Sequence, residues 1–316
     1  MCVPLAAWAQ VATPVHAEAP AISLRADGIL TAAAPPAGMV IRYTLDGSEP
    51  GRDAGEWLEP IDVPAGYTAR ARLFTPDGTG VGWTVAWTPP TGTRKPSTLV
   101  PLTQNRDWRS YDWSARHAAI VDLMRERQPE IVMLGDSITH FWGGDPASGR
   151  RTGVEVWDRV FAGRRVVNLG YGWDRTENVL WRLTHGEFDG VAPKVVVVMI
   201  GTNNMGINTV DEIAQGVEAI CAELHRRSAS TRILLLGIFP RGVKPDATRA
   251  KVAAVNERLA QLDGRNGITF LDIGARFLDA DGSISQDVMY DYLHPTAKGY
   301  AIWAEAMGPT LESLLK

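Results

Sequence analysis

The chain has 316 residues, which at roughly 150 residues per domain suggests two domains. Its 32 Lys and Arg against 36 Asp and Glu leave a net charge of −4, which argues against the basic stripe of a nucleic-acid binder. At 45% hydrophobic and 22% charged it is too apolar for disorder, and its longest apolar run, Val195 to Ile200, is too short to span a bilayer as a helix.

The chain opens on the apolar stretch MCVPLAAWA. Ala7-Trp8-Ala9 fits the small-x-small rule for signal-peptide cleavage, so residues 1–20 are expected to be a signal-peptide remnant and a disordered lead-in. The matching localisation is secreted or periplasmic. A β-sandwich accessory domain is expected over 21–95. Val40 to Leu45 reads as a strand ending at the turn signal Asp46-Gly47, Thr68 to Phe74 alternates, and Val81 to Thr88 is a third candidate strand. Pro89-Pro90-Thr91-Gly92 and Pro96 read as a linker.

Over 96–316 the rhythm becomes strand, loop, helix. Strands are expected at 131–134, 165–169, 195–200, 233–239 and 268–271. The third run is apolar throughout, as a central strand covered on both faces should be. Between them Ile213, Val217, Ile220 and Leu224 recur at helical spacing, as do Val252, Val255, Leu259 and Leu262, and then Trp303, Met307 and Leu311. Five such alternations predict an α/β fold with a doubly wound, five-stranded parallel sheet. Cys2 and Cys221 give no disulfide framework, and the histidines show no metal-ligand spacing, so no metal and no cofactor are expected.

Ligands of such sheets bind outside the carboxyl ends of the strands. The loops there carry Gly135-Asp136-Ser137, Gly170-Tyr171-Gly172-Trp173-Asp174, Gly201-Thr202-Asn203 and, before the last helix, Asp291-Tyr292-Leu293-His294. A serine hydroxyl needs a base to become a nucleophile, and His294 is the candidate. Asp291 can hold the other imidazole nitrogen and fix the tautomer. Oxyanion donors are expected from the Ser137 N–H, a backbone N–H of the second loop and the Asn203 amide. Each piece alone is commonplace: a serine after a strand is usually a helix cap, and an asparagine there a turn residue. Their joint order is what is specific.

These residues resemble the SGNH, or GDSL-type, serine hydrolases over about 200 residues from Trp113 onward. Within that family the likeness is to the platelet-activating-factor acetylhydrolase-like bacterial acetylesterases. Asn178 to Leu183, Gly201-Thr202-Asn203-Asn204 and Pro240-Arg241-Gly242 carry it further. The resemblance implies a flavodoxin-like fold and acetyl ester hydrolysis without metal. It also implies Ser137, His294 and Asp291 as triad, with Ser137, the second loop and Asn203 as oxyanion donors. Where relatives carry glycine before the Asp of the second block, this chain has Trp173, so its backbone N–H becomes the expected donor.

Asp136, Gly170, Gly172, Trp142, Arg241 and Tyr292 are expected to shape the loops or line the substrate, with the two glycines serving a tight turn. Asp136 beside the nucleophile reads as structural. Arg241 can meet an anionic substrate or form an internal ion pair, and His140 reads as a helix-surface residue. Ile41 to Pro50 resembles the C-terminal β-module of chitobiases and hexosaminidases. There Trp57, Trp83 and Trp87 are either a sugar platform or core residues of a spacer. The expected function is an exported serine esterase acting on acetylated carbohydrate. The alternatives are a short-chain lipase or phospholipid acetylhydrolase, and a catalytically dead carbohydrate-binding protein. No nucleic-acid partner and no membrane span are expected, and a homodimer is left open.

Overall fold

A computed structural model describes residues 19–24, 29–45, 47–52, 54–58, 60–63, 68–88, 96–104, 106 and 109–316. The expected cleavage site and linker lie outside these residues. The chain divides into two compact units. One takes in residues up to Val63 together with Tyr67–Thr88; Pro89–Lys316 belongs to the other.

The first unit is all β. Strands β1 (Ile22–Leu24), β2 (Ile29–Ala32) and β5 (Ile61–Asp62) form one antiparallel sheet. Strands β4 (Gly55–Glu56), β3 (Val40–Thr44), β6 (Ala69–Phe74) and β7 (Gly80–Trp87) form another, in that order. Strands β3 and β6 alternate buried and half-buried side chains, so Ile41, Tyr43, Ala71 and Leu73 share one covered face. Trp57 packs its ring on Tyr43 at 5.6 Å and lines a cavity of about 260 Å³ with Trp87, whereas Trp83 stands 80% exposed.

The second unit begins with α1 (Trp113–Arg127), capped by Asp112, whose side chain accepts the Ala115 N–H. Then follow β8 (Ile131–Gly135), α2 (Ser137–His140), α3 (Val154–Val160), β9 (Val166–Gly170), α4 (Thr176–Arg182), β10 (Val195–Met199), α5 (Val210–Arg227), β11 (Arg232–Leu236), α6 (Ala247–Ala260), β12 (Ile268–Leu271) and α7 (Ala297–Leu315). The five strands form one parallel sheet in the order β12-β11-β10-β8-β9. This is the doubly wound architecture expected, with strands β9, β10 and β11 starting or ending short of the apolar runs that suggested them.

Every residue of β8, β9 and β10 is buried. Val196 and Val198 face a core shared with α1, α4, α5 and α6, while Val195, Val197 and Met199 face one shared with α3 and α7. A sheet covered on both faces needs apolar side chains at every position. The chain leaves β8 for β9 on one side and returns to β10 on the other. The crevice between β8 and β10 is therefore the switch point where ligands bind such sheets.

Candidate active site

Strand β8 ends on Gly135, where a side chain would put its Cβ 2.5 Å from the Met199 carbonyl oxygen. The absence of one lets β8 and β10 end side by side. Asp136 then caps α2: its Oδ1 accepts the Ile138 N–H at 2.9 Å, which makes Ser137 the first helical residue. Asp136 Oδ2 is buried with no hydrogen-bond partner among the described residues, and burial, against the Ile138 hydrogen bond, pushes the carboxyl pKa up to about 7.

On the loop before α7, Asp291 folds the chain around its own carboxylate. Oδ1 accepts the N–H groups of Leu293 at 3.1 Å and His294 at 2.8 Å. Oδ2 takes His294 Nδ1 at 2.7 Å, and His294 Nε2 lies 2.9 Å from Ser137 Oγ. With a carboxylate on Nδ1, that nitrogen carries the proton and Nε2 is free to accept the serine proton. Burial acts to raise the Asp291 pKa, but the hydrogen bonds from the His294 backbone and ring outweigh it and hold the carboxyl below its ordinary value. Ser137 is only 7% exposed, at the floor of a cavity of about 420 Å³ whose lining includes Tyr111, His140, Trp173, Asn203 and His294.

The second loop is organised by its carbonyls. The Gly172 carbonyl accepts from Gln104 Nε2 at 3.0 Å and from the Tyr111 hydroxyl at 2.9 Å. A trans peptide points its N–H opposite to its C=O. Anchoring that carbonyl therefore turns the Trp173 N–H away from Gln104 and Tyr111. The Trp173 carbonyl is held in turn by Arg106 at 2.8 Å. Trp173 itself has φ +65°, a left-handed conformation that L-residues adopt at a cost, and its indole is 52% exposed. Asn203 donates one amide hydrogen to the Asp174 carbonyl at 2.9 Å, which fixes the amide plane and leaves its second hydrogen without an acceptor among the described residues.

Beneath this loop lies a buried charge cluster. Arg182 pairs with Asp174 at 2.8 Å and with Glu187 at 2.6 Å, and Tyr171 donates to Glu187 at 2.6 Å. Trp113 and Gln104 add hydrogen bonds to the other Asp174 oxygen. Burial alone would lower the Arg182 pKa; Glu187 and Asp174 reverse this and keep the guanidinium charged. Arg116 closes the set by donating to the Gly170, Asn168 and Pro146 carbonyls.

Several expectations need correction. Trp142 does not line the substrate cavity: it is fully buried, stacked on Tyr300 at 5.1 Å and against Trp303 at 4.5 Å, where it supports α2 from below. His140 is not on a helix surface. It is buried and its Nδ1 accepts the Gly172 N–H at 3.1 Å, a role only a neutral ring can play, and burial drives its pKa down to about 2. Gly172 does serve a tight turn, as the second residue of the turn that the Asp174 N–H closes on the Tyr171 carbonyl at 3.2 Å, with the positive φ on Trp173; Gly170 instead ends β9. Gly170 is needed because a Cβ there would meet the His140 backbone N at 2.2 Å. Tyr292, at φ +62°, shapes the His294 loop, its carbonyl accepting the Gly242 N–H at 2.9 Å. Arg241 forms no ion pair among the described residues; its Nη1 holds Thr202 through the carbonyl and hydroxyl oxygens at 3.2 and 3.1 Å. Gln104, Arg106, Tyr111 and Arg116 carried no local motif, and Arg182, though within the Asn178–Leu183 stretch, was not singled out for a role. Among the described residues no three His, Cys, Asp or Glu side chains cluster as a metal site would require.

Comparison with known proteins agrees with this architecture. A profile of the GDSL-like Lipase/Acylhydrolase family matches residues 133–302. The chain is 36% identical over 205 residues to the platelet-activating factor acetylhydrolase IB subunit alpha2 of Rattus norvegicus, covering 65% of this chain and 85% of that one. It is likewise 36% identical over 204 residues to the human subunit alpha1, covering 64% and 84%. A solved candidate acylhydrolase from Bacteroides fragilis shares the fold with TM-score 0.51 at 18% identity, covering 65% of this chain and all of its own. Extent of match and identity together establish that the chain belongs to the GDSL-like lipase/acylhydrolase family and is a carboxylic ester hydrolase.

Proposed function

We propose that the protein is an esterase that removes O-acetyl groups from carbohydrate through a Ser137 acyl-enzyme. The observation that carries the chemistry is the relay from Ser137 Oγ to His294 Nε2 at 2.9 Å and from His294 Nδ1 to Asp291 Oδ2 at 2.7 Å, opening onto one cavity. His294 takes the Ser137 proton as Oγ attacks the acetyl carbonyl carbon. The resulting oxyanion is met by the N–H groups of Ser137 and Trp173 and by the free Asn203 amide hydrogen. Collapse breaks the C–O bond to the alcohol, which leaves with the proton from His294. Water, deprotonated by the same histidine, then releases acetate and restores the serine.

Support for acetyl as the acyl group comes from the acetylhydrolase names of the 36%-identical relatives. Support for carbohydrate as the alcohol is the half-exposed indole of Trp173 on the cavity, a flat apolar face of the kind that stacks on sugars. Export rests on Ala7-Trp8-Ala9. The relatives' names favour a second reading, a phospholipid acetylhydrolase. Two measurements test the proposal: labelling of Ser137 by a fluorophosphonate, and acetate release from acetylated oligosaccharides set beside an acetylated phospholipid. Labelling with release from the lipid alone would transfer the assignment to the second reading. Absence of labelling in the folded protein would remove the enzymatic reading altogether.

A further inference from the structure

The charge of the reactive cavity runs against the charge of the chain. The protein as a whole is at −4, yet among the described residues no Asp or Glu lines the cavity around Ser137, while Arg150 and Arg241 do. Neither guanidinium is ion-paired with a carboxylate among the described residues. Arg150 is held by the Tyr290 hydroxyl, 3.3 Å from its Nη1, and lies 5.3 Å from the centre of the Phe141 ring. Both aromatic rings also border the base: Phe141 is 5.2 Å and Tyr290 5.8 Å from the His294 ring. Arg241 lines the same cavity and is tied through Nη1 to Thr202, the residue before Asn203. Its remaining guanidinium donors have no protein acceptor among the described residues. The acids near these cations are otherwise engaged. Asp291 is turned to His294, Asp136 is buried under the nucleophile, capping α2, and Asp246, which shares a separate pocket with Arg241, caps α6 by accepting the Arg249 N–H.

Two cations lining the cavity of an ester-cleaving centre, with no anion lining it among the described residues, attract a negatively charged substrate and raise its local concentration. A planar guanidinium with free N–H groups binds a carboxylate through paired hydrogen bonds. We propose that the preferred substrate is an acetylated acidic sugar, a uronate whose carboxylate is taken by Arg150 and Arg241 while its acetyl group lies at Ser137. This rests on the acetylesterase reading above and narrows it. The exposed Trp173 ring on the same cavity favours a sugar as the bearer of the charge.

The test compares kcat/KM for a methyl glucuronoside and a methyl glucoside that carry the same single O-acetyl group. At low ionic strength the acidic sugar should be favoured by about tenfold or more, the lower end of what electrostatic steering supplies. Raising salt from about 20 to 300 mM should erode only the acidic substrate's rate, because exposed guanidinium charges are screened. Arg150→Gln should cut the acid-to-neutral ratio by about threefold or more, and Arg150→Lys should restore part of it. Taking a ratio cancels any general loss of activity in the variants. A wild-type ratio near one, insensitive to salt, would overturn the proposal while leaving the acetylesterase reading intact. A preference confined to acetyl glycerol phosphate over acetyl glycerol would overturn it in favour of a phosphate-bearing ester. Failure to hydrolyse either sugar acetate would sink both.

Discussion

Trp173 is the residue at which conformational cost and reaction geometry meet, and replacing it separates the two. Its φ of +65° costs an L-residue about 1–2 kcal/mol, a cost glycine escapes. Glycine also gains freedom in the unfolded chain, which takes back about 0.4–1 kcal/mol. Comparing Trp173→Gly with Trp173→Ala cancels the loss of the half-exposed indole, since both variants lack it. The glycine variant should be the more stable by about 0.5–1 kcal/mol, or a few degrees in Tm for a unit of this size. Both variants keep the Trp173 N–H, and the Gly172 carbonyl remains anchored by Gln104 and Tyr111. Hydrolysis of a small aryl acetate should therefore stay within about tenfold of wild type. On an acetylated oligosaccharide the loss of a stacking face worth about 0.5–2 kcal/mol should lower kcat/KM by a further factor of about 2–30. Thermal melts and paired kinetics on the two substrates suffice. An alanine variant as stable as the glycine variant would refute the argument from strain. Equal kinetic losses on both substrates, with a lower Tm, would refute the stacking face.

The other expectations concern the catalytic chemistry. Ser137→Ala should abolish turnover in a folded protein. Asp291→Asn should lower kcat by up to about 10⁴, with little additional loss when the two are combined, because the relay acts as a unit; steady-state rates with circular dichroism check both. Asn203→Ala should lower kcat by roughly 10²–10³ with KM little changed, since the amide meets charge that develops only in the transition state. Tyr111→Phe removes one of two hydrogen bonds to the Gly172 carbonyl, worth about 0.5–1.5 kcal/mol, and should lower kcat about 2–12-fold without moving KM. Asp136, whose pKa burial raises to about 7, binds its proton more tightly folded than unfolded. It imposes no penalty below its ordinary value near 4, and stability should fall between about pH 4 and 7 as the unfolded state gains the advantage of ionising. Melts across that range should show this slope in wild type and lose its Asp136 component in Asp136→Asn; an unchanged slope would argue against the buried carboxyl as its source.

Much of the architecture was legible because it is written in local periodicity. The Val-rich run at 195–199 announces a strand covered on both faces, and Ile213, Val217, Ile220 and Leu224 announce the buried stripe of α5. The reactive residues were legible for a related reason. Each sits in a short loop directly after a strand or before the last helix, and strand ends of a parallel sheet gather on one edge whatever the intervening sequence. That is how Ser137 and His294, 157 positions apart, come to share a hydrogen bond. Tertiary structure alone decided what lies between and beneath them. Gln104 and Asp174 are 70 positions apart, and no motif in either segment foretells that their contact helps hold the second loop. His140 reads as a surface residue until strand β9 is laid against α2 and brings the Gly172 N–H onto its Nδ1. Trp142 is apolar enough to line a substrate or fill a core, and only the packing of Tyr300 and Trp303 against it chooses the core. Arg241 offered an ion pair or a ligand site with equal chemical sense, and the absence of a carboxylate within reach among the described residues left it facing the cavity. Periodicity records which face of an element is apolar; it does not record which distant element will cover it, and the surroundings of the nucleophile depend on that.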